Sequence, residues 1–292
     1  MSRPVGPDFL CIGMQKAGTD WLFDQLQFHP DFWMPPVKEF HYFDRKITPK
    51  VGRATKLLNL SPQRLAKKLS VRRTWDERDS AFLQEASRLQ GLDFQRYAAL
   101  FRYKGDLLSG EITPGYSVLG EEIIAAIDRE LPSLKIVLLV RDPVARAWSQ
   151  ISMAYRRDNF DAAVLDSRTA FAEFLKNSDL VNDRSFPTKI AERWKRCGPH
   201  LELGCFLFDK IEKEPERARS DILRFLGADP EKKSGEIAAG QNRKSKLAKL
   251  PMSGDMLEVL IEHFREELAA CAVLCGEEAG QWPGRYGLGG GV

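Results

Sequence analysis

Four short apolar runs, at 9–14, 107–112, 135–140 and 203–208, stand out along the chain, and a stretch with helical spacing follows each. The third reads Lys-Ile-Val-Leu-Leu-Val, apolar on consecutive positions as in a strand buried on both faces. Strands alternating with helices predict right-handed βαβ units. The expected fold class is therefore α/β, a central parallel sheet flanked by helices in three layers. The helix after the third run is signposted by Asp142 as N-cap and Pro143 in its first turn, with Val144, Ala147, Trp148 and Ile151 as its buried stripe. Further helices are predicted over 215–225, stopping at Gly227, and over 256–275, with Leu257, Leu260, Ile261, Phe264 and Leu268 on one side. Residues 45–104 are rich in Lys and Arg and contain no clear strand, so they read as a helical excursion from the sheet. Their charge fits a solvated helix face or a surface for an acidic acceptor. The tail from Gly276 reads as a frayed terminus.

Composition narrows the class of protein. With 292 residues, 43% hydrophobic and 29% charged, the chain has enough apolar residues to build a large core. A formal charge of +3 suits an anionic ligand but lacks the strong basic excess of nucleic-acid binders, so no nucleic acid is expected. The five cysteines include no C-x-x-C pair and there are four histidines, so no zinc-type spacing arises. Cys271 and Cys275 read as core thiols. Reduced cysteines, no apolar run approaching the ~20 residues of a membrane span, and no secretory pattern before Phe9 together predict a soluble, cytoplasmic protein.

The chemistry begins at K-A-G-T-D-W-L, residues 16–22, between the first apolar run and a helical stretch. A strand, a small-residue turn carrying a lysine and a helix form a phosphate cradle. Amides of the first helical turn lack intrahelical acceptors, and the helix dipole adds positive potential. Ala17 and Gly18 let an anion approach the backbone, and Lys16 adds a full charge. The nucleotide-triphosphatase pattern G-x-x-x-x-G-K-[ST] does not fit, because the lysine here precedes the glycine. Arg141 leaves the C-terminal end of a central strand, where ligands sit in open α/β sheets. Ser149 lies two helical turns beyond Asp142 and returns to the same face, so Arg141 and Ser149 can converge on one anion.

Together these segments resemble the sulfotransferases that use 3′-phosphoadenosine 5′-phosphosulfate (PAPS). The K-x-G-T order resembles their 5′-phosphosulfate loop, and V-R-D-P-V-A-R-A-W-S, ending at Ser149, resembles their 3′-phosphate segment. The stretches 29–44 and 110–116 are similar to segments of the heparan-sulfate and bacterial carbohydrate-type branch. The likeness covers 8–44 and 107–160 well, and 185–285 loosely. It implies a P-loop-like single domain over 1–292 that moves a sulfuryl group from PAPS, without a metal, to an acceptor hydroxyl. The acceptor would be a small molecule or glycan, in particular a carbohydrate or glycosylated small molecule, and PAP the product. Lys16, Ala17, Gly18, Thr19, Asp20 and Trp21 would embrace the 5′-phosphosulfate, with Lys16 also catalytic. Arg141 and Ser149 would take the 3′-phosphate, and Arg243 and Lys244 would close over the nucleotide. Glu39 would be the catalytic base, with His41 second in line on the same side of an extended strand.

Two departures mark this chain. Ile112 stands where many relatives carry a second lysine. Asp20 puts a carboxylate beside the phosphosulfate and is expected to turn away, onto its own helix N-terminus or a cation. Trp33, Tyr42 and Phe43 are candidates both for stacking on a sugar and for core packing. Two other readings stay open at this level: a P-loop kinase-like phosphotransferase dependent on Mg²⁺ and ATP, and a catalytically silent nucleotide-binding protein.

Overall fold

The computed structural model describes residues 5–44, 76–232, 237–242 and 250–288. Each of the four apolar runs holds a strand: β1 (Phe9–Gly13), β2 (Gly110–Ile112), β3 (Lys135–Val140) and β4 (Glu202–Leu207). They form one sheet in the order β2-β1-β3-β4, with every neighbouring pair parallel. The helices in chain order are α1 (Thr19–Gln27), α2 (Glu77–Ala86), α3 (Phe94–Ala99), α4 (Glu121–Glu130), α5 (Pro143–Tyr155) and α6 (Arg168–Asn177). After these come α7 (Asp179–Asn182), α8 (Pro187–Cys197), α9 (Phe208–Lys213), α10 (Pro215–Leu226) and α11 (Gly254–Cys275).

The strand order carries the functional consequence. The chain leaves β1 toward β2 on one side, then crosses back to β3 on the other. Loops after β1 and β3 therefore open a crevice between neighbouring strands, the switch point where ligands bind in such sheets. β1 is buried along its whole length, and its register against β3 slips between Cys11 and Gly13, where the strand gives way to the loop. Asp142 caps α5 by accepting from the Val144 and Ala145 amides, and Val144, Ala147, Trp148 and Ile151 are all buried.

Two expectations need correction, and one open choice is decided. α11 buries Met256, Val259, Leu260, Phe264, Leu268 and Cys271, so Leu257 and Ile261 sit at the edge of its apolar face. The stretch after Gly276 is anchored up to the last described residues: Trp282 is fully buried, and the Tyr286 hydroxyl donates to Asp142 Oδ2 at 2.7 Å. Aromatic burial there outweighs the flexibility suggested by the glycines. Finally, Trp33, Tyr42 and Phe43 are core residues. Tyr42 stacks on Tyr97 at 4.7 Å, Phe43 packs edge-on against the same ring, and Trp33 packs on Phe82, so none presents a face to a sugar. Of the 45–104 excursion, 45–75 lies outside the described residues. The rest is helical and packs on that aromatic cluster. Its cations pair nearby, Arg78 with Asp76, Arg102 with Glu85 and the buried Lys104 with Asp8.

Candidate active site

The loop joining β1 to α1 is shaped by its backbone. Lys16 has φ 72° and Gly18 φ 98°, both left-handed. A Cβ at Gly18 would also lie 3.1 Å from the Phe208 ring, so glycine suits this position on two counts. The first α-helical bond is Leu22 N–H to Gly18 C=O, which leaves the amides of Gly18, Thr19, Asp20 and Trp21 outside the helical ladder at its positive end. Ala17 contributes space instead of a donor, since its N–H is taken by the Met14 carbonyl at 3.2 Å. The Trp21 indole is committed to the Ala239 carbonyl at 2.7 Å, so only its backbone faces the cradle. Asp20 turns outward, its side chain 71% exposed, and meets the Lys38 ammonium at 2.8 Å. Of the two partners expected for it, the cation prevails.

Lys16 and Arg141 arrive at the crevice from neighbouring strands, and a hydrogen bond joins them: Arg141 Nη1 donates to the Lys16 carbonyl at 2.9 Å. The Arg141 guanidinium also lies over the Phe208 ring at 4.6 Å. Its neighbour Asp142 faces α5 instead of pairing with it. Burial lowers the pKa of both Lys16 and Arg141, and Arg156 and Arg141 lower Lys16 further. The Lys16 ammonium rests 3.9 Å from the Met153 sulfur on α5. Ser149 is half-buried on the same helix. Arg243 and Lys244 lie outside the described residues. The segment just before them is tied to α1, where Gln25 Nε2 donates to the Ala238 carbonyl at 3.1 Å.

Sequence reasoning passed over Arg146. This arginine is fully buried, donating from Nε to the Gln15 carbonyl at 3.3 Å and from Nη1 to the Val181 carbonyl at 3.3 Å and to Ser185, while Nη2 has no partner. Burial, then Arg184 and Arg141, push its pKa down to about 9, which still leaves it charged at neutral pH. Arg184 Nη1 grips the Gln15 side chain at 3.0 Å, so two arginines hold the residue that precedes Lys16. Among the described residues, Lys16, Arg141 and Arg146 make no ion pair. Arg146 lies on the side of α5 opposite its apolar stripe, so periodicity offered no signal of its burial.

The acidic side is built from β2. Glu111 is buried and accepts from Thr113 Oγ1 at 2.5 Å, from the Tyr97 and Tyr116 hydroxyls at 2.7 Å each, and from the His41 amide at 3.1 Å. Burial raises its pKa, and the hydrogen bonds from Thr113, Tyr97 and Tyr116 oppose the rise. This carboxylate pins the segment that carries Glu39 and His41. Those two residues are not on an extended strand, as their left-handed φ values of 58° and 61° show. The turn nevertheless brings them together, with His41 Nε2 3.6 Å from Glu39 Oε2. His41 Nδ1 lies 2.6 Å from Asp44 Oδ2, and the hydrogen bonds to Asp44 and Glu39 raise its pKa to about 9. A Cβ at Gly115 would lie 2.3 Å from that Asp44 oxygen, so a glycine is needed for the close approach. Lys38 reaches Glu39 Oε1 at 3.3 Å while holding Asp20, and so links this turn to the first turn of α1. Ile112 is buried in β2.

Parallel α/β topology places the Lys16 loop and Arg141 together at the switch point of the sheet. The Sulfotransferase family profile matches residues 7–232, and the chain belongs to that family. Among solved structures it is similar to a sulfotransferase from Alicyclobacillus acidocaldarius, with 20% identity over 94% of this chain and 98% of that one and a TM-score of 0.63. A sulfotransferase from Mycobacterium avium also matches, with 14% identity over 92% and 77% of the two chains and a TM-score of 0.49. No curated protein matches the chain significantly. No helix among the described residues is long and apolar enough to cross a membrane, and none of their His, Cys, Asp and Glu side chains cluster into a group able to hold a metal ion.

Proposed function

We propose that this sulfotransferase uses PAPS as donor and an alcohol as acceptor. The observation that carries the reading is the Arg141 contact to the Lys16 carbonyl, which joins the phosphate loop to the start of α5. Around it lie helix-terminal amides, cations that have no carboxylate partner among the described residues and the orphaned Nη2 of Arg146, a setting that fits a ligand with several anionic oxygens. Lys16 and the amides of 18–21 would hold the 5′-phosphosulfate, and Arg141 and Ser149 the 3′-phosphate. Arg243 and Lys244 are further candidates. When bound, PAPS supplies the sulfuryl group and a phosphate leaving group.

The chain's own residues then have distinct tasks. Lys16 carries a full charge beside the loop and neutralises negative charge that grows there as a bond breaks. Glu39 takes the acceptor proton on a carboxylate oxygen. His41, with a pKa near 9 and braced by Asp44, is already protonated at neutral pH. It therefore serves as a cation that orients Glu39, and the role of base goes to Glu39. Lys38 holds Glu39 from the other side. The acceptor is read as a hydroxyl on a carbohydrate or glycosylated small molecule, from the 29–44 and 110–116 segments.

Calorimetry against PAP, 5′-AMP and ATP with Mg²⁺ tests the donor. Each charge-assisted contact to the 3′-phosphate is worth about 1.5–3 kcal/mol, so PAP should bind at least tenfold better than 5′-AMP. Equal affinity for the two would overturn the assignment. Preference for ATP with Mg²⁺ would favour the kinase reading, and tight PAP binding with no transfer from radiolabelled PAPS to any sugar or lipid acceptor would favour the silent one.

A further inference from the structure

A cavity lies along α8, lined by residues outside the phosphate loop. It has a volume of about 560 Å³ and is lined by one face of α8 together with Val118, the C-terminal turn of α6, the end of α7, and His263 of α11. On α8 the lining residues are Phe186 just before the helix, then Lys189, Ile190 and Arg193, spaced so that they share one side. The cavity thus has an apolar floor of Val118, Phe186 and Ile190 beneath two cations of α8. Lys176 adds a third at its edge, and Asp183 is the one carboxylate in the lining.

These cations are weakly compensated. Among the described residues, Lys189 and Arg193 make no ion pair. The Lys189 ammonium lies over the Phe186 ring at 4.4 Å, and Arg193 Nη2 donates to the Ser117 carbonyl at 2.6 Å while its buried Nε has no partner. Lys176 has Glu173 at 4.0 Å, both side chains largely exposed. Glu267 of α11 is engaged by the amide and hydroxyl of Thr188 at 2.8 and 2.6 Å. The wall opposite α8 is fixed. Asn182 Nδ2 donates to the Leu175 carbonyl at 2.7 Å, so its Oδ1 faces His263 Nε2 at 2.9 Å as acceptor. Three cations, an orphaned guanidinium donor and an apolar floor are suited to a compact anion with a hydrophobic body.

We infer that this cavity is a second binding site, for a small organic anion carrying a sulfonate, sulfate, phosphate or carboxylate on an apolar or aromatic frame. The lining shares no residue with the phosphate loop or with α5, so the site does not depend on the donor assignment.

Calorimetric titration of the full chain with naphthalene-2-sulfonate, with and without PAP, tests this. Saturable binding should appear in both conditions, and the neutral naphthalene-2-sulfonamide should bind at least about tenfold more weakly. Lys189 and Asp183 are exposed, so their substitution leaves folding intact. Lys189→Gln should weaken the sulfonate about tenfold, Asp183→Asn should tighten it about threefold, and Lys16→Gln should leave it unchanged. The inference fails if no saturable binding appears at millimolar concentration, if the sulfonamide binds equally well, or if Lys189→Gln and Asp183→Asn both match the wild type.

Discussion

Flanking β1 are two polar clusters of opposite design. At the ends of β1 and β3, Lys16, Arg141 and Arg146 are held by carbonyl oxygens, a sulfur and a ring, without a carboxylate partner among the described residues. At β2 the buried Glu111 receives four donors, and His41 lies between Glu39 and Asp44. Burying an unpaired charge costs several kcal/mol, and a chain under selection for stability alone would pair it. The first cluster therefore carries a cost in stability, consistent with the anion site proposed above. The second is internally satisfied at Glu111 and leaves the Glu39 carboxylate, the base proposed above, partly exposed beside it.

The sharpest way to break this contrast is Glu39→Gln. If Glu39 is the base on a prebuilt frame, kcat should fall by roughly 10²–10⁴-fold while PAP affinity stays unchanged. Near-normal turnover would remove the role, and loss of activity in His41→Ala instead would transfer it to His41. Lys16→Ala probes the other cluster. It should lower kcat by about 10²–10³-fold and raise the donor KM less, because its charge matters most as the bond breaks. A change confined to KM would make Lys16 a binding residue.

Arg146→Met separates a structural cation from one kept for the ligand. PAP affinity should drop about tenfold, and the thermal shift produced by PAP should shrink more than the unliganded melting temperature falls. If unliganded stability collapses while PAP affinity is preserved, Arg146 is scaffolding. The smallest effect concerns His41. Its pKa of about 9 lies above the ~6.5 of an unstructured histidine, so its contribution is complete below ~6.5 and disappears as pH rises through about 9. The stability difference between wild type and His41→Gln should therefore shrink by ~1–2 kcal/mol over that window, allowing for the quarter of the side chain that is solvent-exposed. A difference independent of pH would show that folding does not raise the imidazole pKa.

Lys16 and Arg141 could be picked out from the chain alone because each sits at a signposted junction of strand, turn and helix, and Ser149 only from its helical spacing to Asp142. The link between the first two could not, since it joins residues 125 positions apart and depends on β1 and β3 being neighbours. Glu39 and His41 were legible as residue types, but the geometry that brings them together was not. Two left-handed residues in succession around Phe40 are set by contacts with Glu111, Tyr116 and Gly115, far along the chain. Arg146 escaped notice because it lies on the polar side of α5, away from the stripe of Val144, Ala147, Trp148 and Ile151, and periodicity does not show that this side is buried as well.

The amino-acid sequence by itself determined the α/β alternation, the positions of the four strands, the capping of α5 by Asp142 and the turn at 16–21 that opens α1. All of these follow from local periodicity, turn chemistry and the amides left open at a helix start. Tertiary structure alone decided the order β2-β1-β3-β4, the burial of Trp33, Tyr42 and Phe43, and the anchoring of Trp282 and Tyr286. Those features rest on contacts between distant segments, where desolvation and the charges a neighbour happens to bring set the balance, and no local pattern encodes them.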